Sequence, residues 1–431
     1  MTAADTHRTI DAVWRIEAAK LIAALTRVVR DIGLAEELAQ DALVEALRQW
    51  PQSGVPGKPG AWLMAVAKRR ALDRFRRARL AENKLAGHRH DLESEAVALP
   101  DFDAALDDDF GDDLLRLIFT ACHPVLPTEA RLALTLRLLG GLTTEEIARA
   151  FLVAEATIAQ RIVRGKRTLR EARVPFEVPH GTERAERLSS VLEVLYLIFN
   201  EGYAATRGDD WTRPALCEEA LRLGRILAEL APEEPEIHGL VSLMEIQASR
   251  LGARTGPAGE PILLLDQNRG RWDQLLIGRG LKALGRAETK LAASGAAAGP
   301  YALQAAIAAC HARARAAGDT EWGRIAALYG TLVAITGSPV VALNRAVAVG
   351  MAESPAAGLA LADALVGEPA LREYHLLPSV RGEFLFRLGR MGEAGAEFAR
   401  AASLTRNARE RTVLLGRAAA CGEPIGRPAP G

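Results

Sequence analysis

Apolar residues recur along the chain at helical spacing, and the alternation expected of strands is nearly absent, so an all-α fold is predicted. With Trp62 at zero and about 100° per residue, Leu63, Met64, Ala67, Ala71, Phe75 and Ala78 fall between about 100° and 220°, a core face for a helix over 62–78. Trp62, Arg69, Arg70, Asp73, Arg76 and Arg77 fall on the opposite side. The stretch before it, Pro51 to Gly60, is too rich in Gly and Pro to be helix, and forms a loop suited to cradling an extruded base. Further on, Thr143 with Glu146 three residues later forms a capping box. The helix it starts runs to about Phe151, Leu152 to Glu155 turns, and a second helix begins near Ala156. On that helix Ile158, Ile162, Gly165 and Leu169 share one face. Thr157, Gln160, Arg164 and Arg167 lie opposite, with Arg161 and Lys166 on the flanks. After about residue 182 the chain becomes Ala/Leu-rich helix, with helix starts at Ser338-Pro339 and Ser354-Pro355. The small/large spacing from Leu385 to Ala401 is that of a tetratricopeptide-type helix pair, although no clean 34-residue period runs across 182–420. Residues 252–259 and 294–299 read as loops.

Composition alters this picture only locally. The chain has 431 residues, 54 basic and 54 acidic, and its length suggests about three domains. No run of about 18 uncharged apolar residues occurs, so no transmembrane helix is expected. The stretch Met1 to Asp5 lacks a basic segment followed by an apolar one, so no signal peptide is read there. Four scattered cysteines suit a reducing cytoplasm. A neutral total argues against nucleic acid only on average. Residues 61–80 carry a net charge of +6 and residues 161–173 a net +5, whereas residues 91–113 hold ten acids and no Lys or Arg. Such an acidic run reads either as a solvated linker or as a segment that mimics or avoids a polyanion.

Those charges give the two patterned helices a chemistry. A Trp among guanidinium groups suits single-stranded nucleic acid, the ring taking a base face while the arginines hold phosphates. The alternative is a solvated basic face with Trp62 tucked into a neighbouring helix. An apolar face backing Gln and Arg is what a major-groove helix needs, against the alternative of a purely structural helical hairpin. Enzyme signatures are weak. Cys122-His123 and Cys310-His311 have no second ligand at tetrahedral spacing. Gly278 to Ala283 fits a loose dinucleotide fingerprint without a preceding strand. Nothing in their spacing forces Glu201, His238 and Asp266 together as an acid/base set. The segments Asn200 to Tyr203 and Asp266 to Arg269 would suit one polar network, as a small ligand pocket or as a joint. No catalytic residue, metal or cofactor is expected, and the chain is read as a non-enzyme.

Residues 10–172 resemble bacterial RNA polymerase sigma factors of the extracytoplasmic-function type. The resemblance implies that Ala35 to Leu43 is a core-binding helix, in which Glu37, Gln40 and Asp41 bind the polymerase core and Gln40 and Asp41 meet the β′ coiled coil. It implies that Trp62, Arg69, Arg70, Arg76 and Arg77 bind the −10 element. It gives the −35 element to Thr157, Gln160, Arg161, Arg164, Lys166 and Arg167. The acidic stretch sits where such proteins thread a linker through the enzyme's RNA path. The chain is similar, more narrowly, to a subgroup with a long tetratricopeptide-like helical extension, by the segments Trp50-Pro51, Leu117 to Pro124, Phe199 to Tyr203, Leu264 to Arg269 and Ser338 to Ala346. It departs where Arg69 replaces the usual Asn, Ala154 the usual Pro, and Gly165 the usual Ala. The implied organisation is region 2 over 1–80, an acidic linker over 81–112, a region 4 helix-turn-helix over 113–175, and the helical extension over 182–431. Implied partners are the β′ and β subunits of core polymerase, promoter DNA, and a small-molecule or protein regulator at the extension, with no membrane. A free-standing helix-turn-helix regulator with a helical sensor is the first alternative, and an enzyme or scaffold active beyond residue 182 the second. The 62–77 helix separates the first alternative, because an ordinary repressor has no use for a single-strand-binding module.

Overall fold

The computed structural model describes residues 3–86, 110–204, 212–256, 262–405 and 407–422, and among these every extended regular element is a helix. The acidic run up to residue 109, the side chain of Ala78 and part of the 252–259 loop lie outside the described residues. The chain divides into two compact units, Met1–Val194 and Leu195–Gly431.

The first unit is built from α1 (Ala3–Val29), α2 (Ile32–Ser53), α3 (Pro59–Ala86), α4 (Phe110–Ala121), α5 (Thr128–Leu138), α6 (Thr144–Phe151), α7 (Glu155–Glu171) and the first half of α8 (Gly181–Tyr203). In α1, Ile10, Leu21, Ile22 and Leu25 are buried, packing the helix on α2, α3 and α4. Asp31 caps α2 by accepting from the Leu34 N–H at 2.9 Å. Contrary to the predicted loop, α2 continues through Pro51 to Ser53. Proline there removes only one ladder bond in a closing turn, and Gly54, at φ 82°, ends the helix by donating to the Trp50 carbonyl. The loop proper is short, because Pro59 already begins α3, a first-turn position where its missing N–H costs nothing.

The first half of α8 belongs to this unit by hydrogen bonding. Ser190 donates to the Cys122 carbonyl at 2.6 Å, and Arg187 donates to the Phe119 carbonyl at 3.2 Å. Arg131 of α5 reaches Ser190 at 2.5 Å and Glu193 at 2.9 Å. The change of composition near residue 182 therefore precedes the division between units, since buried donors beyond it still serve the α4–α5 turn.

The second unit takes up the second half of α8 and continues through α9 (Pro214–Leu230), α10 (Pro235–Ala248), α11 (Gln274–Ser294), α12 (Pro300–Arg313) and α13 (Trp322–Thr336). It ends with α14 (Pro339–Ala352), α15 (Pro355–Asp363), α16 (Leu376–Arg387), α17 (Met391–Leu404) and α18 (Ala408–Gly422). From α9 on, helices pack chiefly on their neighbours in sequence, except that α12 packs chiefly on α10. Small residues let large ones in: a Cβ on Gly358 would come within 2.6 Å of the Phe384 ring, and one on Gly382 within 2.9 Å of Phe398. Gly278 to Ala283 lie inside α11, where Gly280 makes room for Ile246 rather than opening a phosphate loop.

Candidate nucleic-acid interface

On α2, the residues Ala35, Glu36, Leu38, Ala39 and Ala42 turn inward, which leaves Glu37 and Asp41, one turn apart, on the exposed side. Gln40 is half-buried and donates to Glu36 at 2.5 Å. Helix α3 lies alongside, and its cations reach across: Arg74 pairs with Glu37 at 2.8 Å and Arg70 with Glu45 at 3.2 Å. Leu38, Asp41, Arg70, Arg74 and Arg77 line one open groove of about 610 Å³. Residues assigned separately to polymerase and to −10 DNA thus share one surface.

Arg69, Arg70, Arg76 and Arg77 are exposed, Arg76 standing 3.7 Å from Asp73 and Arg77 donating to the Asp73 carbonyl. Trp62 differs from expectation. It is half-buried, its ring 5.3 Å from that of fully buried Trp50 in an edge-on contact. The buried face of α3 includes Val66, one turn from Trp62, and so extends further round the helix than the expected face. Met64 and Phe75 are half-buried at its other edge.

The helix-turn-helix forms as its pattern requires. The Glu146 N–H donates to the Thr143 hydroxyl at 3.1 Å and the Thr143 N–H to the Glu146 carboxylate at 2.8 Å, completing the capping box. Leu152 makes the turn at φ 50°. On α7 the buried residues are Ile158, Ile162, Gly165 and Leu169, and Gln160, Arg164 and Arg167 face outward, with Thr157 and Arg161 half-buried. Gly165 is where α7 meets α5, since a Cβ there would stand 2.8 Å from the Leu134 side chain.

Lys166 is placed differently. Its ammonium pairs with Glu36 of α2, which also accepts from Arg137 of α5 at 2.6 Å. Glu36 is 4% exposed, so one buried carboxylate joins three helices. Nearby, Arg170 pairs with Asp31 at 2.9 Å, Arg15 with Glu146 at 3.1 Å, and Arg27 with Asp113 at 3.0 Å. Partial burial pushes the Asp31 carboxyl up, but the Leu34 N–H and Arg170 outweigh it and hold its pKa below the usual range. Burial wins at Asp113, whose pKa is raised in spite of Arg27 and Arg116. These ion pairs dock the α1–α3 part of the unit on its α4–α7 part. The sequence carried one sign of them: Glu36 lies one turn from the buried Ile32 and Ala39, an inward position for a charge.

The remaining candidates separate. Glu201 pairs with Arg213, the buried His238 ring contacts the Pro232 carbonyl at 2.8 Å, and Asp266 is exposed. All four cysteines are buried and free, and no metal-ligating cluster occurs among the described residues. No helix among those residues is long and apolar enough to cross a membrane.

Comparison with known proteins gives these surfaces relatives. Family models match three stretches: Sigma-70 region 2 over residues 15–80, Sigma-70 region 4 over 116–169, and a family of unknown function, DUF6596, over 187–288. The chain is 42% identical over 395 residues to an uncharacterized protein of Rhizobium meliloti (strain 1021), covering 91% of this chain and 90% of that one. It is 32% identical over 150 residues to the ECF RNA polymerase sigma factor SigK of Mycobacterium ulcerans (strain Agy99), or 34% of this chain and 75% of the relative. It is 28% identical over 184 residues to the probable ECF RNA polymerase sigma factor SigI of Mycobacterium tuberculosis, covering 41% and 60% respectively. No solved structure matches.

Proposed function

The chain belongs to the extracytoplasmic-function RNA polymerase sigma factors and directs promoter-specific transcription initiation, and from that premise we propose how its own residues divide the work. Glu37, Gln40 and Asp41 bind the core enzyme, Asp41 and Gln40 at the β′ coiled coil. Arg69, Arg70, Arg76 and Arg77 hold the −10 strand, with the exposed edge of Trp62 available for a base. Gln160 and Arg164 address base edges of the −35 element, while Thr157, Arg161 and Arg167 serve its backbone and Lys166 is held back from it by Glu36. The protein is a non-catalytic cytoplasmic factor. The unit from Leu195 onward gates or supports this activity in response to a small molecule or a protein.

The observation that carries this reading is the face of α7, whose four buried residues lie opposite an outward row of Gln160, Arg164 and Arg167. It is tested by run-off transcription with core polymerase on the DNA upstream of the chain's own gene. A transcript that depends on the protein, and is lost on mutation of the −35 sequence, is expected. Binding of that DNA by the protein without any core-dependent transcript would favour a free-standing regulator instead.

A further inference from the structure

In the second unit an unusual set of side chains meets around two aromatic rings. Tyr203 ends α8, Arg250 and Arg254 follow α10, and Arg269 and Trp272 precede α11. Arg254 lies 3.7 Å from the centre of the Tyr203 ring. Arg250 lies 5.6 Å from the centre of the Trp272 ring and Arg269 5.0 Å from it. Arg250 also donates to the Tyr203 hydroxyl at 2.5 Å. Arg250 is 7% exposed, Arg254 8% and Trp272 3%. Of the segments the sequence singled out, Tyr203 of the first touches Arg250, and Arg269 of the second shares the Trp272 ring with it.

Arg250 and Arg269 carry charge that no carboxylate among the described residues meets in an ion pair, Asp319 acting on Arg269 only from a distance. Arg269 donates to the His311 and Ala314 carbonyls at 2.6 and 2.8 Å and to the Thr320 hydroxyl at 3.1 Å. Neutral oxygens and ring faces are what these guanidinium groups touch. Burial and the neighbouring cations Arg254 and Arg269 both press the Arg250 pKa down, with only the Tyr203 hydroxyl countering them. A buried cation is ordinarily paired, because taking an isolated charge out of water is expensive. The donors are unspent as well: the Nε–H of Arg250, the Nε–H of Arg269 and the indole N–H of Trp272 are buried without an acceptor. All three belong to side chains in contact around one ring. A cationic, aromatic-walled cluster with spare N–H donors is complementary to carboxylate or phosphoryl oxygens.

We propose that Arg250, Arg269 and Trp272 form a binding site for a small anionic metabolite bearing carboxylate or phosphoryl oxygens. The site lies in the stretch matched by the family of unknown function and stands independently of any role of this unit in transcription. Its ligand supplies negative charge and acceptor oxygens to the unspent N–H donors of Arg250, Arg269 and Trp272, and binding stabilises the second unit.

The test is direct binding to the full-length protein, by equilibrium dialysis at constant ionic strength, with inorganic phosphate and with citrate as separate probes. One saturable equivalent per chain is expected for at least one of them. Phosphate alone identifies a phosphoryl ligand, citrate alone a carboxylate, and both a site for either. Arg250→Gln should weaken binding about tenfold or more, since a charge-assisted bond is removed. Arg269→Gln should weaken it likewise, whereas Tyr203→Phe, which keeps both rings and frees Arg250 from its hydroxyl, should retain it. Absence of saturable binding of either anion overturns the proposal. So does native affinity in a folded Arg250→Gln chain or, if that chain does not fold, in a folded Arg269→Gln chain.

Discussion

Asp41 faces outward from α2, and the cations nearest it in the shared groove, Arg70, Arg74 and Arg77, belong to the neighbouring helix. If its partner is a cationic patch on core polymerase, Asp41→Lys sets like charges against each other and should lower core affinity at least tenfold. Pull-down at matched helicity checks this, and unchanged capture removes α2 from the interface. Lys166 and Arg164 differ by one buried carboxylate. Arg164 is exposed, so Arg164→Ala should cost roughly 1–3 kcal/mol at one promoter position and little elsewhere. Lys166 is held by Glu36. Glu36→Gln should free it to reach a phosphate and steepen the plot of log affinity against log salt by about 0.9 for −35 duplex DNA. An unaltered slope in that titration means Lys166 is structural. His311 makes a further difference at this scale. Burial, then Arg250 and Arg269, depress its pKa from 6.5 to about 4. Unfolded chain takes up the proton first, so stability is complete above pH 6.5 and falls as pH drops toward about 4. The gap corresponds to about 3 kcal/mol at ~1.4 kcal/mol per pH unit. Chemical denaturation should show this acid loss in the native chain and a smaller one in His311→Asn.

Among the elements, α7 was the most legible, because its apolar residues fall on one face with nothing competing for them. Its one odd residue, Gly165, stands where the resembled family has Ala, and it is the contact point with α5. Alanine there would recover about 1 kcal/mol of helix propensity. It would also drive a methyl to 2.8 Å from fully buried Leu134. The second effect offsets or exceeds the first, so Gly165→Ala should leave thermal stability unchanged or lower it. A rise of several degrees would show that Leu134 moves aside freely. Helix α3 was legible as an element and in most of its facing, with Leu63, Ala67 and Ala71 buried and Arg69, Arg70, Arg76 and Arg77 exposed, but not at Trp62. A helical projection sorts side chains about their own axis and is blind to the neighbour, and Trp62 is half-covered because Trp50 arrives from α2. The docking of α2 on α5 and α7 was hidden for the same reason. Glu36 could be recognised as an inward charge, but Arg137 and Lys166 lie 101 and 130 residues away in sequence. The arginines around Trp272 were half-legible: two motifs were marked, and Arg250, which connects them, had no motif of its own.

At the scale of the whole molecule the question is what the second unit contributes. The composition change suggests cutting near residue 184, but that cut would remove Arg187 and Ser190, whose hydrogen bonds hold the α4–α5 turn. Loss of activity on that cut would then report damage to the DNA-reading unit rather than loss of control. A chain of residues 1–194 keeps those bonds, and the compact unit ends there. Helix α8 would end in solvent, a cost of fraying confined to its last turn. If the second unit gates or supports the holoenzyme, residues 1–194 and the full chain should bind core polymerase and −35 duplex alike and differ several-fold in run-off transcript. The comparison is made at equal protein concentration and equal core occupancy, so that affinity for core cannot stand in for regulation. A ligand or partner shifts such a system only by its preference for one state, and a few kcal/mol suffices. The direction of the difference carries the mechanism: more transcript from 1–194 means the second unit restrains, and less means it is required. Equal transcript from both chains would leave the second unit without a part in initiation, whatever it binds.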